Sequence, residues 1–188
     1  MEELLKEELK ENEKLLWTGK PEAFETMDKV YKPALIKKVI MMTVLVAALA
    51  VAYVVLANAK GVDLQAWLLI LLAACVVGSA VTPFLDAKKL RARTLYAVTD
   101  IRIIVVQDTV KDVPFAAIEE AVALTDEAGH TSILCGQDAV KFKASACRAA
   151  AASGPRANGE NGLCESLVLY AVPEAAKVKE ILSKYIPF

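Results

Sequence analysis

Charge is missing from the middle of this chain: no side chain is charged from Val39 to Ala59, and none from Leu64 to Leu85. At about 1.5 Å per residue each stretch makes a helix of roughly 30 Å, the thickness of a bilayer's hydrocarbon core. With no acid or base between their ends, these helices exclude an intramembrane proton relay or a charged substrate site. Histidine is nearly absent as well, with His130 alone beside Gly129 in a turn-like segment. The four cysteines, Cys75, Cys135, Cys147 and Cys164, contain no CxxC pair. That spacing lacks the usual zinc and redox patterns, so reduced thiols are expected, with no metal and no cofactor. The segment Gly154-Pro155-Arg156-Ala157-Asn158-Gly159 has neither the glycine spacing nor the Lys-Ser/Thr ending of a phosphate loop. No spacing places a nucleophile beside a base and an orienting acid, even where His130 approaches Cys135 along the chain, and the expectation is a protein that is not an enzyme. Basic residues number 22 against 23 acidic. No basic stripe exceeds the clusters flanking the apolar stretches, which argues against a nucleic-acid partner. The acidic first residues lack a basic n-region, so no cleavable signal peptide is expected.

What is present falls into three parts. Residues 35–85 read as a transmembrane helical hairpin, because only Lys60-Gly61-Val62-Asp63 separates the two uncharged stretches. Buried helices of a soluble protein are the alternative, and the remaining roughly 130 residues are too few and too polar to wrap two such helices. Lys37 and Lys38 precede the first stretch and Lys88, Lys89, Arg91 and Arg93 follow the second, whereas Lys60 in the turn is balanced by Asp63. The positive-inside rule then places both termini in the cytoplasm of a multi-pass inner (plasma) membrane protein. The same six basic residues are candidate lipid-headgroup contacts. Small residues such as Ala47, Ala48, Ala52, Ala73, Ala74, Gly78, Ser79 and Ala80 permit close helix packing, within the hairpin or in a homo-oligomer. Pro83 is a point at which the second helix can kink or end. Two helices without an internal repeat or a polar path do not make a transporter.

Residues 1–34 read as an N-terminal helix over 2–13, a short strand near 14–18 and a juxtamembrane segment. Leu4, Leu5 and Leu9 share one face of that helix, which can lie against the domain or a neighbour; with Trp17, for which a place in the packed core is the stronger reading, they form a candidate interaction face. Residues 86–188 read as a cytosolic domain completed by the strand near 14–18. The β-branched runs at 94–99 and 101–106 predict two strands joined tightly around Asp100, and Pro114 marks an edge strand over 111–115. Strands are also expected at 118–124, 131–135, 136–143 and 163–172, paired as an antiparallel meander because the connections are too short for parallel crossovers. Residues 144–162 read as an Ala-rich, then Gly/Pro-rich loop with a short helical turn at 146–152. A last helix begins after Pro173, with Val178, Ile181, Leu182 and Tyr185 on its apolar face.

The order of these elements, with Leu-Trp-Thr-Gly-Lys-Pro at 16–21, the hairpin, Tyr96-Ala97-Val98-Thr99-Asp100-Ile101-Arg102-Ile103-Ile104 and Val172-Pro173-Glu174, resembles the bacterial PH-like (pleckstrin-homology-like) membrane proteins. The match is most specific at Tyr96, Thr99, Asp100 and Arg102. The resemblance implies an α+β membrane protein, with a bent antiparallel sheet closed by the C-terminal helix. In that family the motif marks the fold. Residue chemistry agrees: Thr99 or Asp100 can cap the turn, and Arg102 can hold Asp100 or a backbone carbonyl. The functional expectation is a membrane-anchored module for protein interaction or assembly, partnered by membrane lipids and by itself or another membrane protein. A tethered sensor of anionic lipids is the alternative.

Overall fold

In the computed structural model, which describes residues 1–61, 63, 65–137, 139–157 and 162–188, a short helix α1 (Glu2–Glu8) and strand β1 (Leu15–Gly19) precede two long helices, α2 (Tyr31–Lys60) and α3 (Ala66–Arg93). The N-terminal helix is shorter than its composition predicts. Leu9 leaves it in an extended conformation, and from there the chain runs along the sheet.

The long helices exceed the uncharged stretches at the domain-proximal end, so Lys37, Lys38, Lys88, Lys89, Arg91 and Arg93 lie on helix. They pack against each other as antiparallel neighbours. Both are long and apolar enough to cross a membrane, and their most apolar windows are not buried in protein. Ile40, Val44, Val51, Val55, Ile70 and Val77 are all exposed. At about 1.5–3 kcal/mol per such side chain left in water, this surface calls for an apolar surrounding. The Tyr53 hydroxyl accepts from Gln65 N at 2.8 Å, and Gln65 Oε1 accepts from Trp67 Nε1 at 3.0 Å, so α2 caps the start of α3. Val62 and Leu64 of the connecting turn lie outside the described residues. Pro83 does not end α3. It has no N–H to offer the carbonyl of Ser79, and the Thr82 hydroxyl donates to that carbonyl at 3.3 Å.

Beyond α3 the chain builds two antiparallel sheets in place of the expected single meander. Strands β2 (Leu95–Thr99), β3 (Arg102–Val106) and β4 (Val110–Pro114) extend from β1 in the order β1-β2-β3-β4. The second sheet holds β5 (Ala121–Thr125) and β6 (Thr131–Cys135), then, after helix α4 (Ala144–Ser153), β7 (Arg156–Ala157) and β8 (Cys164–Leu169), in the order β5-β6-β8-β7. Helix α5 (Ala175–Leu182) ends the fold.

Three apolar clusters explain the sequence pattern. Tyr96, Val98, Ile103 and Val105 of the first sheet meet Ile133, Leu167 and Leu169 of the second, with Trp17 and with Val178 and Leu182 of α5. The opposite face of β2 and β3, carrying Leu95, Ala97, Ile104 and Val106, is covered by Leu5 of α1. Leu134, Val168 and Tyr170 on the outer face of the second sheet are covered by Cys147, Ala151 and Ala152 of α4 and by Ala87 and Leu90 of α3. Burial on both faces is why β2 and β3 read as continuous apolar runs.

No strand forms over 136–143. The described part of this segment makes a single 3-10 turn at Ala139–Lys141, and Asp138 lies outside the described residues. Gly136 redirects the chain with φ of +117°, and an added Cβ would stand 2.7 Å from the Cys164 carbonyl oxygen and 2.8 Å from that of Glu165. Both neighbours are backbone of β8 and cannot step aside. Gly136→Ala is therefore expected to destabilise the domain by at least about 1–3 kcal/mol in denaturant unfolding. A loss under 0.5 kcal/mol would contradict this account of the turn.

Within the stretch 144–162, the short helical turn expected at 146–152 extends to the ten-residue helix α4. Its alanines form a small-residue face that lets it sit between α3 and the second sheet. Residues 158–161 of the same stretch lie outside the described residues.

Candidate functional site

The Tyr96–Arg102 segment is a connected piece of architecture. Thr99 Oγ1 accepts from the backbone N–H of Ile101 at 3.3 Å and of Arg102 at 3.1 Å, and donates to the Arg102 carbonyl at 3.0 Å, closing the β2–β3 turn. The Tyr96 hydroxyl, fully buried, accepts from the backbone N–H of Tyr170 at 3.1 Å and so ties the two sheets together. Burial pushes its ionisation well above the ordinary phenol range, which keeps it neutral. Asp100 is not the partner of Arg102. Its carboxylate accepts from Lys14 N at 3.0 Å.

Arg102 reaches the N-terminal segment instead. Its Nε donates to Glu13 Oε1 at 2.8 Å, one terminal nitrogen to Asp112 Oδ2 at 2.9 Å, and the other to Glu13 Oε2 at 2.9 Å and the Glu8 carbonyl at 2.8 Å. The arrangement is bidentate on Glu13, whose side chain is 1% exposed. The guanidinium beside it holds the Glu13 carboxyl down at about 2, and the same carboxylates push the Arg102 pKa up. With its donors engaged by protein oxygens, Arg102 is a clasp for the chain between α1 and β1. The candidate interaction face meets the same segment: Leu5 and Trp17 are buried within this chain, Leu9 is half-buried, and Leu4 stands exposed.

The basic residues at the ends of the long helices divide into two sets. Lys37, Lys38 and Lys88 are exposed. Lys89 donates to the Ala152 carbonyl at 2.8 Å, Arg93 pairs with Asp108 at 3.2 Å, and Arg91 donates to the Thr26 hydroxyl and lies over the Phe24 ring. The second set fastens α3 to the domain.

A site with no counterpart in the sequence reading lies where α2, α3 and α4 converge. Arg148, 1% exposed, projects from α4 among three aromatic rings, with its guanidinium carbon 3.6 Å from the Tyr31 centroid, 4.6 Å from Phe24 and 5.4 Å from Tyr170. One terminal nitrogen donates to the Thr26 carbonyl at 2.7 Å. The other reaches Asp28 Oδ2 at 2.6 Å, the Tyr170 hydroxyl at 3.1 Å and the Glu25 carbonyl at 3.1 Å. The Asp28 Oδ1 in turn accepts from the N–H groups of Val30 and Tyr31 at 2.9 and 2.8 Å, which caps the first turn of α2. The Tyr31 hydroxyl donates to the Ala144 carbonyl at 2.7 Å and accepts from Arg148 N at 3.0 Å, anchoring the start of α4. Arg148 Nε is buried without a partner among the described residues. Beside it opens a crevice of about 120 Å³ whose wall includes Lys38, Thr82, Asp86 and Ser145. The one signal in the sequence is Arg148 itself, a lone charge inside an otherwise uncharged Ala-rich run.

Three of the four cysteines are poor nucleophiles. Cys135, Cys147 and Cys164 are buried, and burial pushes the thiols of Cys147 and Cys164 up to about 11 and that of Cys135 higher still. His130 sits in the β5–β6 turn, its ring 6.3 Å from Phe24. Among the described residues no group of three or more His, Cys, Asp or Glu side chains is placed to hold a metal ion. Comparison of the chain with family models, with curated proteins and with solved structures finds no match.

Proposed function

We propose that this chain is a membrane-anchored PH-like module that presents a rigid, non-catalytic domain at the inner face of a membrane for protein interaction or assembly. The observation that carries the reading is the pairing of β1 with β2. These strands flank the two long helices in sequence and are antiparallel partners in one sheet, with Trp17 opposite Val98 and Thr18 opposite Ala97. Both ends of the hairpin must therefore lie on one side of any bilayer it enters. The basic residues at the domain-proximal end select the cytoplasmic side. Two antiparallel sheets around a shared core, closed by α5, agree with a PH-like fold.

The interaction role rests on an open strand edge. Among the described residues β1 pairs only with β2, and Leu15 and Leu16 on it are exposed. An edge of this kind accepts a strand from a second chain. Sensing of anionic lipids through Lys37, Lys38 and Lys88 is the second reading, favoured by their exposure next to the apolar helices. Arg102 is not available to it, being saturated by carboxylates.

Single-cysteine variants at Asp63, Glu174 and Leu16 test both parts. On intact cells an impermeant thiol reagent should label Asp63→Cys and spare Glu174→Cys, and a photo-crosslinker on Leu16→Cys should yield a protein adduct. External labelling at position 174 would reverse the topology. Lipid adducts alone at position 16, with one anionic class bound selectively, would replace assembly by lipid sensing.

A further inference from the structure

We propose that the crevice between α2, α3 and α4 is a binding site for the zwitterionic headgroup of an aminophospholipid, phosphoethanolamine in chemical class. The inference rests on the membrane-anchored reading above and goes beyond it by naming a ligand and its contacts. The crevice is lined from three helices at helical spacing, with Lys38 on α2, Thr82 and Asp86 on α3, and Ser145 and Arg148 on α4. Its volume of about 120 Å³ leaves room for a small polar group. The lipid's acyl chains have their own place along the exposed apolar surfaces of α2 and α3, which begin at the mouth of the crevice with Leu35 and Pro83.

The charges decide the headgroup. Asp86 lies within electrostatic reach of Lys38, Lys89 and Arg148. It makes no ion pair within 4.0 Å with any of them, although Lys89 and Arg148 are each paired elsewhere. A carboxylate and an ammonium therefore line one crevice without closing on each other. A simple anion would satisfy Lys38 and meet repulsion from Asp86. A ligand carrying both signs satisfies both, its phosphate at Lys38 and the Ser145 hydroxyl, its ammonium at Asp86. A primary ammonium donates hydrogen bonds to Asp86, and a trimethylated one does not.

The test uses the full chain in nanodiscs or detergent with native mass spectrometry of bound lipid. Phosphatidylethanolamine, phosphatidylcholine and phosphatidylglycerol compete in equal amounts, with soluble phosphoethanolamine and inorganic phosphate as displacing probes. Phosphatidylethanolamine should be retained about tenfold over phosphatidylcholine, the discrimination expected of one charge-assisted hydrogen bond. Asp86→Asn should bring that ratio to near one and raise phosphatidylglycerol retention, Asp86→Glu should restore it, and Lys38→Gln should lower retention of all three. Thermal unfolding run in parallel identifies any variant that has lost its fold, in which case the wild-type ratio alone decides. Equal retention of the three lipids by the wild-type chain overturns the site, as does displacement by inorganic phosphate as effective as by phosphoethanolamine. If the chain is extracted from membranes by carbonate, the anchoring reading fails together with the site. If it resists extraction but shows no headgroup preference, the site alone fails.

Discussion

Arg148→Met should lower the unfolding free energy by about 3–5 kcal/mol, the cost of leaving a buried charge without its partner. Asp28, 9% exposed, would keep its two backbone donors at the start of α2 but lose the guanidinium 2.6 Å from its other oxygen. Stacking on Tyr31 and Phe24, worth about 0.5–2 kcal/mol, would vanish with it. Because Arg148 joins α4 to the segment before α2 and to Tyr170 after β8, the loss should uncouple the helical hairpin from the domain. Denaturant unfolding in detergent, followed separately by a probe on α3 and one on β6, should show two transitions where the parent shows one. The double variant Asp28→Asn/Arg148→Met removes both charges and should recover more than half of the lost stability. A single variant within 1 kcal/mol of the parent, unfolding in one step, would refute the central role given to Arg148.

The second large effect is expected at Arg102. Arg102→Ala strands Glu13, whose side chain is as inaccessible as the guanidinium it binds, and frees the Glu8 carbonyl and Asp112. A loss of about 3–5 kcal/mol is expected, with α1 released from the first sheet. The pH dependence separates this ion pair from general packing. The Glu13 carboxyl lies lower in the folded chain, at about 2, than its ordinary 4.5. Its contribution is therefore fully present above pH 4.5 and is lost as pH falls from there toward 2. Acid unfolding of the parent should steepen in that window, and both Arg102→Ala and Glu13→Gln should flatten it. An unchanged acid profile in Glu13→Gln would remove the pair from the account of stability.

These two clusters also mark how far the sequence is readable. The long helices show in the sequence because uncharged length is a local property, and the β2–β3 turn shows because Thr99 and Arg102 are three residues apart. Arg102 and Glu13 are separated by 89 positions, and Arg148 and Asp28 by 120. No local period encodes such a pair, so Arg102 is assigned to its neighbour Asp100 or to a backbone carbonyl, of which only the carbonyl contact, at Glu8, is found, and Arg148 passes unnoticed. The Ala-rich run is read as no more than a short helical turn at 146–152 for a related reason. Alanine carries little amphipathic pattern, and α4 is fixed by the close approach it allows to Ala87 and Leu90. For Leu5 the sequence leaves open whether the face packs inside the chain or meets a partner, because apolar spacing does not show what covers it, whereas the core place read for Trp17 is the one it takes.

The pairing of β1 with β2 has a consequence for how the protein is made. Thr18 and Tyr96, which bond across these strands, are 78 residues apart, and both long helices lie between them. At synthesis rates of about 5–20 residues per second, β1 leaves the ribosome roughly 4–16 s before its partner exists. Through that interval it is a bare strand with Leu15, Leu16 and Trp17 uncovered, the state in which a chaperone or a neighbouring chain can capture it. If the chain is anchored as proposed, the wait ends only when the second helix has brought β2 back to the side on which β1 began. A nascent chain arrested after one crossing would then hold the two strands on opposite faces of the bilayer and could not assemble the first sheet, so completion of the domain would certify that insertion is finished.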